Sequence, residues 1–299
     1  MDQKRFHNLL SDDQLAQIQL RPDPDDPRLT HKIESLDASG EVQQTSVIVE
    51  RPLTIYLNSH QLVTAMTIGD HPKLLALGYV LNQGLLPADM GIEAIEYHPD
   101  LDVVVIRTPQ PLAVDKQDQQ RTLTSGCAQG TAYEQWIDSL RGRQLPQGPQ
   151  LKTSVLSALL RQIAGIPSLY REAGAIHGCA LCTVGALPET LCYVEDVGRH
   201  NAVDKIAGFM HLAGIEPSDK LFFTTGRLTS EMVLKCVAMG VPILVSRSGL
   251  TQWGVELAQQ FGLTMIARAK GKRFTAVSGL DRLDFDAKPD GDSELDFGR

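Results

Sequence analysis

Ionisable side chains of both signs are concentrated between residues 195 and 205, where six of eleven positions are acidic or basic. The preceding residues, Leu191 to Val194, are apolar, aromatic and β-branched, which predicts a buried strand. A helix is predicted next, because apolar residues recur at positions 203, 206, 207 and 210. Gly198 leaves the start of this helix open, and free N–H groups there favour an anion. The candidate cleft residues are Glu195, Asp196, Arg199 and His200. The alternative is a solvated helix start with local ion pairs.

A second group of charges places four cations in the six residues from Arg268 to Arg273. The apolar run before it, residues 263–267, predicts a strand, and ligands of open α/β sheets bind where parallel strands end. A cationic, glycine-containing loop at that edge suits phosphate groups. Arg227 follows the strand predicted at residues 221–225 and is a candidate for the same cleft. The alternative is a solvated basic turn. The predicted anion-binding residues are Arg268, Ala269, Lys270, Gly271, Lys272 and Arg273.

Cys127 is the candidate nucleophile, because it lies in a loop of small, polar and glycine residues from Thr122 to Gly130. Residues 131–134 have the spacing of a capping box, so a helix is predicted to begin at Thr131. The dipole of that helix would favour the thiolate over the thiol. Taken by itself, however, a lone cysteine in a loop is more often an incidental thiol.

His177, Cys179, Cys182 and Cys192 raise the question of a zinc site, since Cys-x-x-Cys with histidine is a common ligand set. These residues lie in a predicted strand, where side chains alternate between faces, so Cys182 should point away from His177 and Cys179. We therefore predict no metal site and assign these cysteines, with Cys236, to the core. His177 stays a candidate cleft residue.

The composition limits the class of protein. A net charge of −8 over 299 residues argues against a nucleic-acid-binding protein, which usually has a basic face. No apolar run is long enough to span a membrane, and five cysteines are too few for a disulfide scaffold. A soluble protein of the reducing cytoplasm is expected.

The order of motifs predicts an α/β fold with a smaller, mainly β region before it. Residues 1–44 are polar and rich in Asp and Pro, and are expected to form a flexible arm. Residues 45–143 should form the β-rich region, ending in the Cys127 loop and a helix. From residue 151 to 282, strands and helices alternate as in an α/β domain, and residues 283–299 are expected to be an acidic tail.

Several separated motifs together resemble the formate dehydrogenase accessory sulfurtransferase family (FdhD). They are the stretch Tyr193–Lys205, the segment Ala76–Leu86, Thr124–Cys127, Gly226–Val233 and Leu263–Ile266, and the similarity covers roughly residues 45 to 282. The resemblance implies a cytidine-deaminase-like α/β layer in the C-terminal half and a homodimer.

The resemblance also implies a function. Proteins of this family are similar to sulfur carriers: a cysteine desulfurase loads a loop cysteine with a persulfide. The sulfur then passes to molybdenum bis(molybdopterin guanine dinucleotide) before this cofactor enters the catalytic subunit of formate dehydrogenase. Cys127 corresponds to the carrier, and residues 268–273 correspond to the loop that contacts the cofactor.

The chain departs from the family at Gly130, where many members have a second loop cysteine. Gly130 is compatible with a persulfide relay that uses one cysteine, but it puts in doubt any mechanism that needs two loop thiols. A second hypothesis is a non-catalytic chaperone that binds the molybdenum cofactor and docks it to formate dehydrogenase, with Cys127 dispensable.

Overall fold

A computed structural model describes residues 20–86, 90–110, 121–123, 131–185 and 187–287. Its helices are α1 (Pro72–Asn82), α2 (Thr131–Leu140), α3 (Thr153–Gly165), α4 (Leu169–Ala173), α5 (Arg199–Leu212), α6 (Ser230–Met239) and α7 (Gln252–Phe261). Its strands are β1 (Thr30–Leu36), β2 (Val42–Ile48), β3 (Arg51–Leu57), β4 (His60–Thr67), β5 (Ala94–His98), β6 (Val103–Arg107), β7 (Arg121–Leu123), β8 (Leu151–Lys152), β9 (His177–Thr183), β10 (Thr190–Asp196), β11 (Lys220–Thr224), β12 (Ile243–Ser246), β13 (Thr264–Lys270), β14 (Arg273–Ser278) and β15 (Leu283–Asp284).

The C-terminal half is built on a six-stranded sheet in the order β10-β9-β11-β12-β13-β14. Strands β11, β12 and β13 are parallel, and the others pair antiparallel. All five residues of β11 are buried, as expected for a strand covered on both faces. Helices α6 and α7 end at Gly240 and Gly262 in the left-handed conformation, where glycine avoids the Cβ clash. The predicted α/β alternation is confirmed.

The N-terminal half contains a five-stranded sheet in the order β5-β6-β3-β4-β7. The sheet contains two hairpins, β3–β4 and β5–β6, and β6 joins them by pairing parallel to β3. The prediction of a mainly β region here is confirmed. Helix α1 follows β4, and Asp70 does not cap it. His71 is the capping residue, in a left-handed conformation (φ 46°) and without a side-chain cap.

The sheets and helices stack in layers around a core that is continuous between the two halves. One face of the six-stranded sheet packs on α3, and the other packs on the layer of α1, α5 and α6, which also contacts the five-stranded sheet. Residues 144–150, which connect the two halves, are attached to this core. Leu145 is buried, and the Arg282 guanidinium donates to the carbonyl oxygens of Pro146 (3.1 Å) and Gln147.

Helices α1 and α5 cross at two glycines. A Cβ added at Gly78 would overlap the carbonyl oxygen of Asp204, and one added at Gly208 would overlap that of Leu74. The helix backbones therefore touch, so the β-rich region and the α/β region are joined by main-chain contact. No helix among the described residues is long and apolar enough to cross a membrane.

The N-terminal arm predicted for residues 1–44 is wrong for the part that the structure describes. Leu20 is buried, and its carbonyl oxygen accepts a hydrogen bond from the Tyr193 N–H (2.8 Å). Arg21 donates to the carbonyl oxygen of Thr190 (2.6 Å), and β1 pairs with β2 as a hairpin. The composition is polar on average, but single apolar residues are enough to attach the segment. Residues 1–19 lie outside the described residues.

The predicted acidic tail is also wrong in its first residues. Strand β15 pairs parallel with β8, which places residues 283–284 in the fold. Asp286 then caps α3, accepting hydrogen bonds from the Ser154 N–H (3.0 Å) and hydroxyl (2.6 Å). These hydrogen bonds lower the pKa of the Asp286 carboxyl. An acidic residue near a chain end therefore served as a helix cap, which composition alone does not reveal. Residues 288–299 lie outside the described residues.

Candidate functional site

A cavity of about 540 Å³ opens where the three parallel strands end. Thr225 follows β11, Arg247 follows β12, Ala269 lies near the end of β13 and Gly271 follows it; all four line the cavity. His177 also lines it, because β9 runs antiparallel to β11 and begins at this edge. We call this space the carboxyl-edge cavity. Its position is the one where open α/β sheets bind ligands.

The cationic stretch 268–273 forms a tight turn between β13 and β14 at the rim of this cavity. Arg268 has a left-handed backbone (φ 52°), and its N–H donates to the carbonyl oxygen of Ser248 (2.9 Å). Ala269 and Gly271 line the carboxyl-edge cavity, whereas Lys272 and Arg273 line a separate cavity of about 310 Å³ beside Phe274 and Phe285. Arg268 and Lys270 are exposed. The prediction located the turn correctly, but the six residues face two different spaces.

Glu195 lines the carboxyl-edge cavity, yet its carboxylate is held by the protein. It accepts hydrogen bonds from the Ser168 hydroxyl (2.6 Å) and the Leu169 N–H (2.7 Å), and so fixes the start of α4. Burial raises the pKa of Glu195, although these hydrogen bonds oppose the shift. We therefore assign Glu195 to shaping the cavity wall, with little capacity left to bind a ligand.

Asp196 was predicted to lie in the cleft, and this prediction is wrong: its side chain is fully buried. One carboxylate oxygen accepts from the Thr67 hydroxyl (2.5 Å) and lies 2.6 Å from Nζ of Lys205. The other accepts from the Gly198 N–H (3.1 Å) and the Asn201 amide (2.9 Å). The hydrogen bonds of this carboxylate are all made within the protein. It also occupies the Gly198 N–H, at the helix start that was expected to bind an anion.

Lys205 completes a buried charge cluster that ties α5 to the β-rich region. Its Nζ also pairs with Asp70 and donates to the carbonyl oxygen of Glu195 (3.2 Å). Burial alone would lower the pKa of Lys205, but the carboxylates of Asp196 and Asp70 outweigh burial and raise it. A second buried pair joins Asp204 of α5 to Lys235 of α6 (2.6 Å).

Arg199, His200 and Arg227 lie together at the same edge of the sheet. Arg199 packs against Gly226, and Nε2 of His200 is 3.1 Å from a carboxylate oxygen of Glu231 at the start of α6. Burial lowers the pKa of His200 well below its ordinary value, and Lys235 and Arg199 add to this shift. Burial, with Arg199 and Arg227, lowers the pKa of His177 as well. Neutral imidazoles beside two guanidinium groups make this edge suitable for an anionic ligand.

Four of the five cysteines are confirmed as core residues. Cys179, Cys182, Cys192 and Cys236 are buried, with Cys179 and Cys182 on opposite faces of the sheet. Burial raises the pKa of Cys179, Cys182 and Cys192 to about 12, so these thiols are poor nucleophiles. No group of metal-binding side chains occurs among the described residues. Cys127 lies outside them.

The residues of the carboxyl-edge cavity that sequence reasoning missed include Tyr170 and Arg171, both on α4. Tyr170 and Arg171 line its outer wall, and the Arg247 guanidinium lies 5.9 Å from the centre of the Tyr170 ring. A guanidinium at this distance over a ring makes a cation–π contact. Helix α4 has only five residues, which is too short to leave a periodic signal in the sequence.

The fold and the cavity define a class: mixed α/β proteins with an anion-suited pocket at the carboxyl edge and a β-rich region packed against the sheet. Within that class, the profile of the FdhD/NarQ family matches residues 48–284. The chain belongs to this family.

Relatives at about one-quarter identity span nearly the same length. The sulfur carrier protein FdhD of Bacillus subtilis (strain 168) is 26% identical over 247 residues, covering 82% of this chain and 93% of the relative. That of Nocardia farcinica (strain IFM 10152) is 28% identical over 263 residues, covering 84% and 93%. A crystal structure assigned as a formate dehydrogenase accessory protein from Desulfotalea psychrophila matches with a TM-score of 0.68 and 26% identity, covering 85% of this chain and 99% of that one.

Proposed function

We propose that this chain is a sulfur carrier that serves formate dehydrogenase, with Cys127 as the carrier and the carboxyl-edge cavity as the binding site for the cofactor. The observation that carries this proposal is the cavity itself, which combines a cationic rim with the position typical of ligand sites in α/β sheets. Membership of the FdhD/NarQ family, whose relatives are named sulfur carriers, supports the sulfur chemistry.

Cys127 is the cysteine left for this role, because the other four are buried. In the proposed first step, the Cys127 thiolate attacks the terminal sulfur of a persulfide on a cysteine desulfurase. A new S–S bond forms on Cys127, the donor's S–S bond breaks, and the donor cysteine leaves as a thiolate. The step needs no external oxidant or reductant, only a thiolate that the donor can reach.

The proposed cargo is molybdenum bis(molybdopterin guanine dinucleotide), which carries pyrophosphate groups. The residues present suit such a group: Arg247 lines the cavity, and the exposed Arg268 and Lys270 flank the lining residue Ala269. The exposed Arg227 lies after the end of the neighbouring strand β11. A volume of about 540 Å³ lies within the usual range for small-molecule sites and would hold one nucleotide portion. These residues would bind and orient the cargo while its sulfur is delivered.

The proposed partners are a cysteine desulfurase as donor and the catalytic subunit of formate dehydrogenase as recipient. We also propose that the protein is a homodimer and that it is located in the cytoplasm. Insertion of the molybdenum cofactor and a reduced Cys127 thiol are both compatible with that compartment.

The test is the intact mass of the protein after incubation with a cysteine desulfurase and cysteine. We expect one added sulfur atom that a reductant removes and that the Cys127→Ser variant lacks. Ser125→Ala is the matched control in the same loop and should gain the sulfur as the unmodified protein does. Sulfur that still adds to the Cys127→Ser variant would exclude this residue as the carrier.

Gly130 favours a second candidate, a cofactor chaperone without sulfur transfer, because the second loop cysteine is missing. The two functions separate in a strain that lacks the native protein. A carrier requires that Cys127→Ser abolish formate dehydrogenase activity while guanine nucleotide binding persists, since an alcohol cannot hold a transferable persulfide. Full activity of this variant would establish the chaperone instead.

A further inference from the structure

A second large cavity, of about 690 Å³, lies at the edge of the five-stranded sheet where β3 begins and β4 ends. Leu29, Ile68, Leu74 and Tyr97 give it apolar walls, and Arg51 and Lys73 are among its charged lining residues. We call it the Arg51 cavity. Its lining contains none of the residues of the carboxyl-edge cavity. An apolar pocket of this size with a few charged groups is the usual form of a small-molecule site.

The acidic residues of this cavity are already engaged within the protein. Asp26 pairs with Arg28 (2.6 Å), and Asp70 pairs with the buried Lys205. Asp23 accepts a hydrogen bond from the N–H of Asp25 (3.1 Å). Arg51 and Lys73, in contrast, have no acidic partner among the described residues. The cavity is lined by four basic and three acidic side chains, so its charge is net positive, in a chain whose net charge is −8.

The backbone at Gly69 leaves the space that the Arg51 side chain occupies. Its side chain lies across Gly69, where an added Cβ would be 2.7 Å from Cδ and 3.0 Å from Nε of Arg51. Gly69 also has φ +84°, which disfavours any other residue. The Nε of Arg51 is buried and makes no hydrogen bond within the described part of the chain. The guanidinium as a whole has no anionic partner among the described residues, which suits it to an anionic ligand.

We propose that the Arg51 cavity binds a small organic oxyanion, a phosphate or carboxylate on an apolar body, with Arg51 and Lys73 contacting the anionic group and the walls around Tyr97 contacting the body. This site is independent of the nucleotide binding proposed above, because it shares no lining residue with it.

The location gives this site a functional context. Strand β7 pairs parallel to β4, with Leu123 opposite Ala65, so both strands end at the edge that carries the Arg51 cavity. The segment with Cys127 begins directly after β7. A bound oxyanion would therefore lie at the same edge of the sheet as the end of β7.

The experiment is calorimetric titration of the full chain with phenyl phosphate, benzoate and the neutral benzyl alcohol. We expect saturable binding of at least one of the two anions and much weaker binding of the alcohol; the tighter anion identifies the oxyanion. Arg51→Gln should weaken that binding by roughly tenfold or more, because charge-assisted hydrogen bonds to oxyanions are strong. Lys73→Gln, on an exposed side chain that folding does not need, should weaken it by about threefold.

The matched controls are Arg161→Gln, an exposed arginine on α3, and Lys270→Ala at the rim of the carboxyl-edge cavity. Both should bind the anion as the unmodified chain does. The proposal is overturned if neither anion binds, if the alcohol binds equally well, or if Arg51→Gln and Lys73→Gln leave the affinity unchanged. Loss of binding in Lys270→Ala but not in Arg51→Gln would assign the anion to the other cavity and overturn it as well.

Discussion

Two highly charged stretches of this chain have opposite environments. In residues 195–205 the charges are mostly buried: Lys205 and Asp196 have no exposed surface, and each has several partners. In residues 268–273 the cations Arg268, Lys270 and Arg273 are exposed at the end of a hairpin. Buried charge needs compensation and so makes packing specific, whereas exposed charge stays available for a ligand. Residues 195–205 are therefore chiefly structural, and the exposed turn at residues 268–273 is the better candidate for binding a ligand.

The largest expected effect comes from breaking the buried cluster. Lys205→Met should lower the free energy of unfolding by about 3–5 kcal/mol, because Asp196 and Asp70 would be left buried without a cation. Urea unfolding measures this. Lys270→Met, the same change in the exposed turn, should alter stability by about 0.5 kcal/mol or less. Equal effects of the two substitutions on the free energy of unfolding would contradict this difference between buried and exposed charge.

A smaller effect is expected on ligand affinity when the exposed turn is changed. Replacing Arg268 and Lys270 with Ala should weaken guanine nucleotide binding by about 1–2 kcal/mol in total, since an exposed contact is worth roughly 1 kcal/mol. The loss should shrink as salt concentration rises, because salt screens exposed charges. Titration calorimetry at low and high salt tests both points. Unchanged affinity in this double variant would show that the turn is only solvated.

The smallest effect concerns the dependence of stability on pH. Because burial lowers the pKa of His200, the unfolded chain binds more protons than the folded one below about pH 6.5. His200 therefore makes the free energy of unfolding fall as pH falls, by at most about 1.4 kcal/mol per pH unit.

His200→Gln should remove this contribution, so that unfolding between pH 7 and 5 depends less steeply on pH. His98→Gln, at a half-exposed position in the β5–β6 turn, is the control and should keep the original slope. A steeper slope in the His200 variant would mean that the imidazole is charged in the folded protein.

Much of the fold follows from local patterns. The alternating strands and helices after residue 175 were predicted because buried parallel strands and glycine-terminated helices leave strong signals, as at Gly240 and Gly262. Strand β14 was missed because it begins inside the cationic run, which was interpreted as a loop. The attached segments at Leu20 and Asp286 were missed for a different reason: each is held by distant partners, Tyr193 and Ser154, that local composition does not contain.

The site was predictable in position more than in detail. The turn 268–273, His177 and Arg227 all lie at the predicted edge of the sheet, because strand direction alone determines which loops meet there. Asp196 was misassigned, since its exposure depends on Thr67 and Lys205, whose positions only the tertiary fold establishes. The role of Cys127 remains a prediction.

The glycine crossing of α1 and α5 limits how this molecule can move. Backbones in direct contact at Gly78 and Gly208 leave no compressible side chains between the helices, so neither half can swing or slide as a hinged lobe without breaking main-chain contact. The distance between the end of β7 and the mouth of the carboxyl-edge cavity is therefore fixed by the scaffold. In the sulfur transfer proposed above, the sulfur would therefore cross a distance that the scaffold fixes.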